Sequence, residues 1–351
     1  MNELNYNNVN SFFKLNGFPM NKEELCEAAY CFIKEGDESE QTTGEFLLDW
    51  FDAKSYINLQ TSGTTGIPKN IRISKQAMID SALATGSFFE LTPGDKALCC
   101  LPTKYIAGKM MLVRSIVLGL DLDYVAPSSF PILHNVTKYD FVAMVPLQVE
   151  NSLKELKNVK KIIVGGAKMS KSLEKKLLNT KTAVYETYGM TETITHIAAK
   201  KVGEKAFSVL PNVKISQNDK NCLVIEALKI SNEAIVTNDL VEIISENQFV
   251  FLGRIDNVVN SGGVKLIPEQ IEEKLAAEIH SRFFVGGITD AVLGEKLVLV
   301  IEGEQKDLSK AVFKSLDKYE KPKEVFYIPV FNETQNGKIK RKEILESIHT
   351  D

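Results

Sequence analysis

The chain has 351 residues, of which 44% are hydrophobic and 25% are charged, so it suits two domains with sizeable cores. Its formal net charge of -4 argues against a general nucleic-acid binder. The five cysteines and four histidines have no zinc-ligand spacing, and we expect free thiols in a reducing cytoplasm. There is no signal-peptide pattern, and the most apolar stretch is too short to span a membrane.

Helix and strand patterns alternate along the first half of the chain. Helical spacing of apolar residues predicts helices over 22–34, 43–51, 75–90, 106–119, 147–156 and 170–179. Short apolar runs predict strands over 56–59, 71–73, 96–101, 122–126, 141–145, 159–164 and 182–186. This alternation predicts an α/β domain of mainly parallel sheets covered by helices, in which ligands lie at the carboxyl ends of strands.

The pattern changes after about residue 200. Short strands with polar turns are expected there, for example over 222–227 and 249–252. The remainder is typical of a small α+β unit. Its predicted elements are helices over 268–279 and 308–319, strands over 282–285, 296–301 and 325–330, and a terminal helix.

A loop rich in hydroxyl groups and glycine lies between the first two predicted strands. It consists of Thr61, Ser62, Gly63, Thr64, Thr65, Gly66, Ile67, Pro68 and Lys69. Glycines let backbone N–H groups approach an anion, hydroxyls donate to phosphate oxygens, and a lysine adds positive charge. Composition alone leaves an ordinary hairpin turn equally open. The GxxxxGK[ST] nucleotide loop does not fit, because Asn70 follows Lys69.

Five motifs appear in order along the chain. They are the loop at 61–69, Tyr188–Glu192, Thr237–Asp239, the group Gly253–Asp256 with Ser261–Gly263 and Pro268–Glu272, and Gly337–Arg341. They resemble the phosphate loop, the aromatic-Gly-x-Thr-Glu, Thr-Gly-Asp and hinge signatures, and the C-terminal lysine motif of one superfamily. This is the adenylate-forming superfamily of acyl-CoA synthetases, peptide adenylation domains and luciferases. The resemblance covers nearly the whole chain from Thr61 to Arg341.

The resemblance implies an ATP-dependent acid–thiol ligase that works in two half-reactions. A carboxylic acid first attacks the α-phosphate of ATP and forms an acyl-adenylate, with release of pyrophosphate. Coenzyme A then takes the acyl group and releases AMP. Charge at the phosphates must be stabilised during the first step. We therefore expect ATP, Mg2+ and coenzyme A to bind.

The resemblance also implies roles for individual residues. The β- and γ-phosphates would be held by Thr61, Ser62, Gly63, Thr64, Thr65, Gly66 and Lys69. Glu192 would hold magnesium, Thr191 would donate to the α-phosphate, and Lys338 would bridge the two reacting anions. Adenine and ribose would lie against Gly165, Gly166, Ala167, Glu186, Thr187, Tyr188, Gly189, Asp239 and Arg254. Taken alone, these residues have plainer interpretations, such as a solvated lysine, a helix-start carboxylate or a turn.

Members of the superfamily rotate a small domain between the half-reactions. By resemblance, the large N-terminal domain would cover 1–252, the hinge 253–256 and the mobile α+β domain 257–351. The hinge residue would be Asp256, because aspartate tolerates unusual backbone angles. After rotation Lys338 would leave the site, and the thiol tunnel of coenzyme A would be lined by Gly262, Gly263, Val264 and Lys265.

The chain departs from the superfamily pattern at several points. Asn238 replaces the glycine of Thr-Gly-Asp, and Asn332–Thr334 replaces the usual Pro-x-Thr before the lysine motif. Asn221–Leu223 stands where relatives have Gly-Glu-Leu, and fewer residues precede the phosphate loop than in larger relatives. These departures affect the expected details of ATP binding more than the expected class of reaction.

The segment 101–110 lies where relatives contact the acyl group, so Tyr105 and Gly108 would line the acyl site. Three cations crowd this apolar segment: Lys104, Lys109 and Arg114. A fatty-acid tunnel would not favour a buried cation, whereas a second carboxylate on the substrate would. Alternatively, the cations extend to the surface.

Within the superfamily, the hinge segment Gly253–Asn257 looks most like that of the o-succinylbenzoate–CoA ligases of menaquinone biosynthesis. The acid would then be an aromatic dicarboxylate, with Tyr105 against its ring and Lys109 or Arg114 on the spare carboxylate. Three alternatives stay open: another aryl- or acyl-CoA ligase, an adenylation module that loads a carrier-protein thiol, and an inactive binding protein that retains the fold. The sequence leaves the oligomeric state open, a homodimer included.

Overall fold

The computed structural model describes residues 5–60, 70–131, 137–333 and 339–349. The chain divides into two compact units. The first unit consists of Met1–Met169, Leu173–Lys214 and Ile225–Ile235. The second consists of Ser170–Ser172, Ile215–Val224 and Val236–Asp351, so it includes the predicted hinge at 253–256 as well as the residues after it.

Helices and strands alternate up to residue 209, as the sequence predicts. The helices are α1 (Lys22–Glu35), α2 (Glu38–Phe51), α3 (Lys75–Phe88), α4 (Ile106–Leu118), α5 (Pro146–Asn151) and α6 (Lys171–Leu177). The strands are β1 (Lys14–Leu15), β2 (Phe18–Pro19), β3 (Tyr56–Gln60), β4 (Asn70–Ser74), β5 (Lys96–Cys99), β6 (Asp121–Tyr124), β7 (Tyr139–Met144), β8 (Val159–Val164), β9 (Ala183–Gly189), β10 (His196–Lys201) and β11 (Phe207–Val209). Among the described helices, none has the length and hydropathy of a membrane span.

One sheet organises the first unit, with the strand order β11–β10–β9–β8–β7–β5–β6–β1–β2. Neighbouring strands from β9 to β1 are parallel, whereas β10, β11 and β2 pair in the antiparallel sense at the two ends. The carboxyl ends of β7, β8 and β9 therefore meet at one edge of the sheet, where α/β proteins bind ligands. The α/β class predicted from the sequence is confirmed.

Helices α1, α2 and α3 begin at residues whose side chains cap them. The Asn21 side chain accepts a hydrogen bond from the backbone N–H of Glu24 (3.0 Å), and the Glu24 carboxylate accepts one from the N–H of Asn21 (2.8 Å). Asp37 and Glu40 form the same reciprocal box at α2, and Ser74 caps α3. Such caps satisfy N–H groups that have no partner within the helix, which fixes where each helix starts.

Helix α4 is apolar around most of its circumference and lies inside the first unit. Met110, Met111, Leu112, Val113 and Ile116 have at most 1% of their surface exposed and belong to the main core. A helix that is apolar all round is stable only when neighbours cover it. Any polar side chain on this helix, such as Arg114, is therefore carried into the core.

The second unit contains the remaining elements. The strands are β12 (Lys214–Gln217), β13 (Cys222–Glu226), β14 (Ile235–Ser245), β15 (Gln248–Arg254), β16 (Val259–Ser261), β17 (Val264–Leu266), β18 (Phe283–Asp290), β19 (Gly294–Glu302) and β20 (Glu324–Ile328). The helices are α7 (Pro268–Leu275) and α8 (Arg341–His349). Lys214 of β12, Ile225 and Glu226 of β13 and Ile235 of β14 belong to the first unit.

Helices cover both faces of the five-stranded sheet in the second unit. Its order is β17–β16–β19–β18, with β20 parallel to β19. Adjacent residues of β18 enter different clusters: Val285 packs with Leu275 of α7, and Phe284 packs with Ile344 of α8. Successive side chains of a strand point to opposite faces, so α7 and α8 lie on opposite sides of the sheet.

The structure differs from the sequence prediction at two elements. The predicted helix over 308–319 contains only a 3-10 turn at Lys310–Phe313, where bonds such as Lys314 N–H to the Ala311 carbonyl (3.1 Å) span three residues. Val312 and Leu316 are nevertheless buried in this tighter conformation, and their burial explains why the apolar residues have helical spacing in the sequence. The strand predicted over 182–186 continues as far as Gly189, because antiparallel pairing with β10 extends β9.

A fully buried lysine joins the end of α2 to the start of α3. The Lys75 ammonium contacts the Asp52 carboxylate (2.7 Å) and the Asp52 carbonyl oxygen (3.1 Å), and it lies 4.6 Å from the centre of the Tyr6 ring. Burial raises the pKa of Asp52, but hydrogen bonds from Lys75 and Lys54 outweigh this effect and lower that pKa to about 2. The carboxylate therefore stays ionised and compensates the buried charge.

Replacing Asp52 with alanine should destabilise the first unit, because the Lys75 ammonium would lose its carboxylate. We expect a loss of roughly 3 kcal/mol in the free energy of unfolding at neutral pH, measured by urea denaturation. In the wild type this stabilisation is present above the unfolded-state pKa of roughly 4 and is lost as the pH falls toward the folded-state value of about 2. The control Lys54→Ala removes a more exposed partner and should destabilise the protein much less; an equal loss in both variants would contradict the assignment.

Candidate active site

Two of the predicted adenine segments lie side by side at the carboxyl ends of β8 and β9. The Thr187 hydroxyl donates a hydrogen bond to the carbonyl oxygen of Val164 (3.0 Å). A Cβ on Gly165 would come 2.8 Å from the Thr187 hydroxyl oxygen. Gly166 and Ala167 follow directly. The two segments thus form one surface at the ligand-binding edge of the sheet.

Glu186 and Tyr188, also predicted at the nucleotide, engage neighbouring strands. The Glu186 carboxylate pairs with Lys200 of β10 (3.0 Å). The Tyr188 ring packs against Phe207 of β11, with the centroids 5.8 Å apart. Lys200 also lies over the Phe207 ring (4.7 Å), so these four side chains form one group across three strands.

The chain reverses after β9 in a strained turn. The N–H of Thr195 donates to the carbonyl oxygen of Thr193 (2.7 Å), and Ile194 between them has φ 66° and ψ -58°. This is the γ-turn with positive φ, which is rare and strained, above all for a β-branched residue. Ile194 is buried in the main core, and this burial holds the strained conformation.

Gly189 allows β10 to return close beside β9. His196 lies opposite Gly189 in the sheet register. A Cβ on Gly189 would overlap the carbonyl oxygen of Thr195 and would come 2.5 Å from the Cα of His196. These are backbone atoms that cannot rotate away. The glycine and the γ-turn together fix where Thr195 and His196 lie.

Arg114 is buried beside these two residues with only 2% of its surface exposed. Its Nη2 group donates to the Thr195 hydroxyl (3.2 Å) and to Nδ1 of His196 (3.4 Å), and its Nη1 group donates to the sulfur of Met111 (3.8 Å). Its buried Nε has no hydrogen-bond partner. Within the described residues no carboxylate pairs with this guanidinium. Burial lowers the pKa of Arg114 to about 10, so the group stays charged at neutral pH.

Helix α3 supplies the second layer of contacts around the guanidinium. The Ser81 hydroxyl lies 3.4 Å from that of Thr195, and the Thr85 hydroxyl lies 3.5 Å from Nε2 of His196. Burial, and then the charge of Arg114, hold the pKa of His196 well below its usual value. The imidazole is therefore neutral. The group as a whole carries one positive charge and suits an anion.

Lys109, the other cation proposed for the acyl site, points elsewhere. Its ammonium lies 4.5 Å from the centre of the Phe46 ring on α2. Burial lowers the pKa of Lys109 to about 8, against the opposing effect of two acidic residues on α2. Five residues along an α-helix correspond to roughly 140° around its axis, so Lys109 and Arg114 face different neighbours.

The rest of the predicted acyl segment frames the start of α4. Tyr105 precedes the helix and is 44% exposed, Gly108 lies in the first turn, and Lys104 is exposed. The buried hydroxyl of Thr103 bonds to that of Thr43 on α2 (2.8 Å). The segment is therefore anchored to α2 while the Tyr105 ring remains accessible.

Thr191 and Glu192 lie in the 3-10 turn that follows β9. The Glu192 side chain is exposed and has no hydrogen bond or ion pair to another described residue. An exposed carboxylate at a strand end is an oxygen ligand of the kind that magnesium prefers. Glu192 therefore fits a magnesium ion by the chemical type of its oxygen ligands and by its exposure.

The predicted ribose carboxylate and hinge residue are linked within the second unit. Asp239 is buried opposite Arg254, whose Nε lies 3.9 Å from the Asp239 carboxylate. Arg254 also pairs with Asp256 (2.9 Å). The Asn238 amide donates to the same Asp256 carboxylate (3.1 Å). The residue that departs from Thr-Gly-Asp is thus one that holds the predicted hinge residue.

The predicted tunnel residues form the turn between β16 and β17. Gly262 and Gly263 have φ values of 57° and 83° between the paired residues Ser261 and Val264. Positive φ at both central positions defines the type I′ hairpin, which a pair of glycines adopts without strain. Lys265 continues into β17.

Two predicted parts of the site, the loop 61–69 and Lys338, lie outside the described residues. Their flanks are described. Gln60 pairs opposite Asn70, and Glu333 pairs with Ile339. Arg341 donates a hydrogen bond from Nη2 to the buried Glu272 carboxylate (3.0 Å), and its Nη1 lies 2.8 Å from the same carboxylate as an ion pair. The chain is therefore anchored on both sides of each part.

Comparison with known proteins places the chain in a family. Residues 34–220, more than half of the chain, match the family described as AMP-binding enzyme. The chain belongs to the AMP-binding enzyme family. This confirms the family-level resemblance drawn from the five motifs.

Known structures and curated relatives agree with this family. A solved structure described as an acyl-CoA synthetase (AMP-forming)/AMP-acid ligase II-like protein from Dyadobacter fermentans is 34% identical with a TM-score of 0.61, over 89% of this chain and 95% of that chain. The 2-succinylbenzoate–CoA ligase of Listeria innocua is 24% identical over 88% of this chain and 74% of its own length. The o-succinylbenzoate coenzyme A synthetase of Bacillus subtilis, in complex with ATP and magnesium, has a TM-score of 0.71 at 20% identity over 84% of this chain and 69% of that chain, which shows a shared fold.

Four residues around Arg114 were missed in the sequence: Ser81, Thr85, Thr195 and His196. Thr195 and His196 are 81 and 82 positions from Arg114, so no local spacing predicts the contact. The one available signal was a histidine four residues after Glu192, which is the last residue of the recognised motif Tyr188–Glu192.

Replacing Gly189 with alanine should destabilise the first unit, because the new methyl group would overlap backbone atoms of β10. We expect a loss of roughly 1–3 kcal/mol in the free energy of unfolding, measured by urea denaturation. The matched control is Gly165→Ala, whose methyl group would meet only the movable hydroxyl of Thr187. Equal losses in the two variants would show that the close approach of β9 and β10 is not the limiting contact.

Proposed function

We propose that the chain is an AMP-forming acid–CoA ligase that acts on an aromatic dicarboxylic acid, with o-succinylbenzoate as the substrate. The observation that carries this proposal is the buried guanidinium of Arg114, which has neutral partners and a free Nε. Family membership supports the ligase chemistry, and the names of the relatives support the acid. The activity would serve menaquinone biosynthesis, as the resemblance implies.

A buried cation is costly unless an anion compensates it. Arginine is almost never fully buried without an anionic partner, and the described residues supply no carboxylate for Arg114. Arginine has five N–H donors, of which the described contacts use three, so one on Nε and one on Nη1 remain. A carboxylate on the substrate would accept a charge-assisted hydrogen bond from one of these donors.

The acid must carry a second carboxylate for this contact, because the first one reacts with ATP. The accessible ring of Tyr105 at the start of α4 suits an aromatic body between the two carboxylates. Lys109 is excluded from the role by its position over Phe46. We therefore assign the spare carboxylate to Arg114 alone.

ATP would bind at the edge formed by β8 and β9. The glycine surface at Gly165 and Gly166 suits the flat face of adenine. The resemblance to the superfamily assigns the two ribose hydroxyls to the Asp239 carboxylate. A magnesium ion held by Glu192 would neutralise phosphate charge during the transfer. The loop 61–69 would hold the pyrophosphate half of ATP until it leaves.

Lys338 would act in the first half-reaction only. Its ammonium would bridge the reacting carboxylate and the α-phosphate, where two anions must approach each other. The chain after it is held by the bridge between Glu333 and Ile339 and by the ion pair between Arg341 and Glu272. In the second half-reaction coenzyme A would enter beside the Gly262–Lys265 hairpin, whose glycines leave room for a narrow thiol arm.

Replacing Arg114 with methionine should separate the functional role of the arginine from a structural one. We expect kcat/KM for o-succinylbenzoate in ATP–pyrophosphate exchange to fall roughly 10- to 100-fold, because a charged hydrogen bond to the acid is lost. We expect the free energy of unfolding to stay within about 1 kcal/mol of the wild type or to rise, since an uncompensated buried charge is removed.

The matched acid is 4-oxo-4-phenylbutanoate, which lacks the ring carboxylate, and the matched variant is Lys109→Met. Exchange with the monocarboxylate should hardly change in Arg114→Met, and Lys109→Met should lower exchange with both acids to the same extent. A fall that is equal for both acids in Arg114→Met would refute the dicarboxylate site. Exchange that is fastest with fatty acids, or absent with every acid, would refute the proposed substrate or the ligase itself.

Replacing Lys338 with alanine should abolish adenylate formation and largely spare thioester formation from a supplied acyl-adenylate. We expect a loss of several orders of magnitude in ATP–pyrophosphate exchange, because charge stabilisation of the transition state is removed. The second half-reaction is followed by coenzyme A consumption from synthetic acyl-adenylate. The neighbouring variant Lys340→Ala should leave both rates near the wild type, and equal losses in the two half-reactions of Lys338→Ala would contradict its assigned role.

A further inference from the structure

His196 is an unusual partner for a buried arginine. Its Nδ1 lies 3.4 Å from Nη2 of Arg114, and the Thr195 hydroxyl lies 3.2 Å from the same nitrogen. Both partners are neutral. A carboxylate at either position would pair with the guanidinium and cancel its charge within the protein. The neutral partners hold the guanidinium in place and leave its charge for a ligand.

The hydrogen bonds fix which nitrogen of His196 carries the proton. Arginine has donors and no acceptor, so Nδ1 must accept and the single proton of the neutral ring lies on Nε2. Nε2 faces the Thr85 hydroxyl oxygen at 3.5 Å. That hydroxyl donates to the backbone carbonyl of Ser81 (2.9 Å), so its oxygen is free to accept. One arrangement of protons therefore satisfies the whole chain from Arg114 to α3.

The surroundings keep the imidazole neutral. Arg114 is the charged group that faces it from α4, and the Phe89 ring packs against it at 6.1 Å. Asp80 and Lys229, which lie 3.9 Å apart and pair with each other, line the cleft that also reaches His196. Protonation would place a second positive charge against Arg114 in a buried site, which burial and the neighbouring charge both oppose.

We propose that His196 is a positioning residue that determines specificity: as a neutral hydrogen-bond acceptor it orients Arg114 and keeps its charge available for the second carboxylate of the acid. This inference rests on the proposed function, because it assigns to Arg114 the spare carboxylate of the substrate. It adds a residue on β10 that touches neither ATP nor the reacting atoms. The γ-turn at Ile194 and the glycine at Gly189 are the backbone features that bring it into place.

Asparagine and aspartate at position 196 form a matched pair for the test. Both place an acceptor oxygen near the position of Nδ1 and have nearly the same shape, but aspartate carries a negative charge and asparagine is neutral. The measured quantity is the ratio of kcat/KM for o-succinylbenzoate to that for 4-oxo-4-phenylbutanoate in ATP–pyrophosphate exchange, with kcat and KM determined separately. Each variant is also unfolded in urea to confirm that it is folded under the conditions of the assay.

We expect His196→Asn to keep the ratio within about threefold of the wild type and His196→Asp to lower it at least tenfold, through KM for the dicarboxylate. A third variant, His196→Phe, lacks the acceptor and should lower the ratio in the same way. In the wild type the ratio should not change between pH 6 and 8.5, because His196 stays neutral; an inflection near the usual histidine pKa of roughly 6.5 would contradict this.

The variant Arg114→Met separates the two proposals. If it lowers the ratio while His196→Asp and His196→Asn behave alike, the role of His196 is refuted and the proposed function stands. If Arg114→Met leaves the ratio unchanged, the carboxylate contact itself is refuted, and the role of His196 falls with it. A loss of kcat for both acids in every His196 variant would indicate a structural role and would also refute the inference.

Discussion

The proposed binding site for the carboxylic acid depends on one constraint, a positive charge that is buried among neutral neighbours. Helix α4 is apolar almost all round, so Arg114 enters the core with the helix and cannot extend to solvent. One hydroxyl, an imidazole and a thioether meet part of its hydrogen-bonding capacity and none of its charge. Such a site lowers the stability of the free protein, and binding of an anion restores that stability. Functional sites commonly depart in this way from the rules that favour folding.

The elements that build this site are far apart in the sequence, and each is fixed by a local rule. Ser74 caps α3, which brings Ser81 and Thr85. The close approach at Gly189 and the γ-turn at Ile194 bring Thr195 and His196. A change at any of these positions would alter the surroundings of Arg114. Under the proposed function, effects on acid specificity therefore need not map to the predicted acyl segment at 101–110.

Much of the fold could be predicted because it follows from local patterns. The predicted bounds of β8 and the predicted start of α3 agree with the structure, and the alternation of helices and strands indicated the α/β class. The helix expected over 308–319 failed because the same spacing of buried residues fits a tighter turn. In the site, Arg114 was a candidate beside Lys109, since sequence spacing gives the angle between two side chains on a helix but not the neighbour each one meets. Thr195 and His196 could not be predicted, because their contact depends on a positive φ at a β-branched residue, which the sequence disfavours.

The two cations of α4 explain why arginine suits the site and lysine does not. Lys109 is partly buried, and its pKa of about 8 means that a modest further loss of solvation would neutralise it near physiological pH. The pKa of Arg114, about 10 even when buried, leaves its charge intact. The planar guanidinium can also hold fixed contacts with Thr195 and His196 while other N–H groups stay free, whereas a lysine ammonium with the same contacts would have at most one donor left. An anion-binding side chain inside a protein must stay charged, keep a fixed orientation and have unused hydrogen-bond donors. Arginine meets these requirements when neutral residues hold it in place.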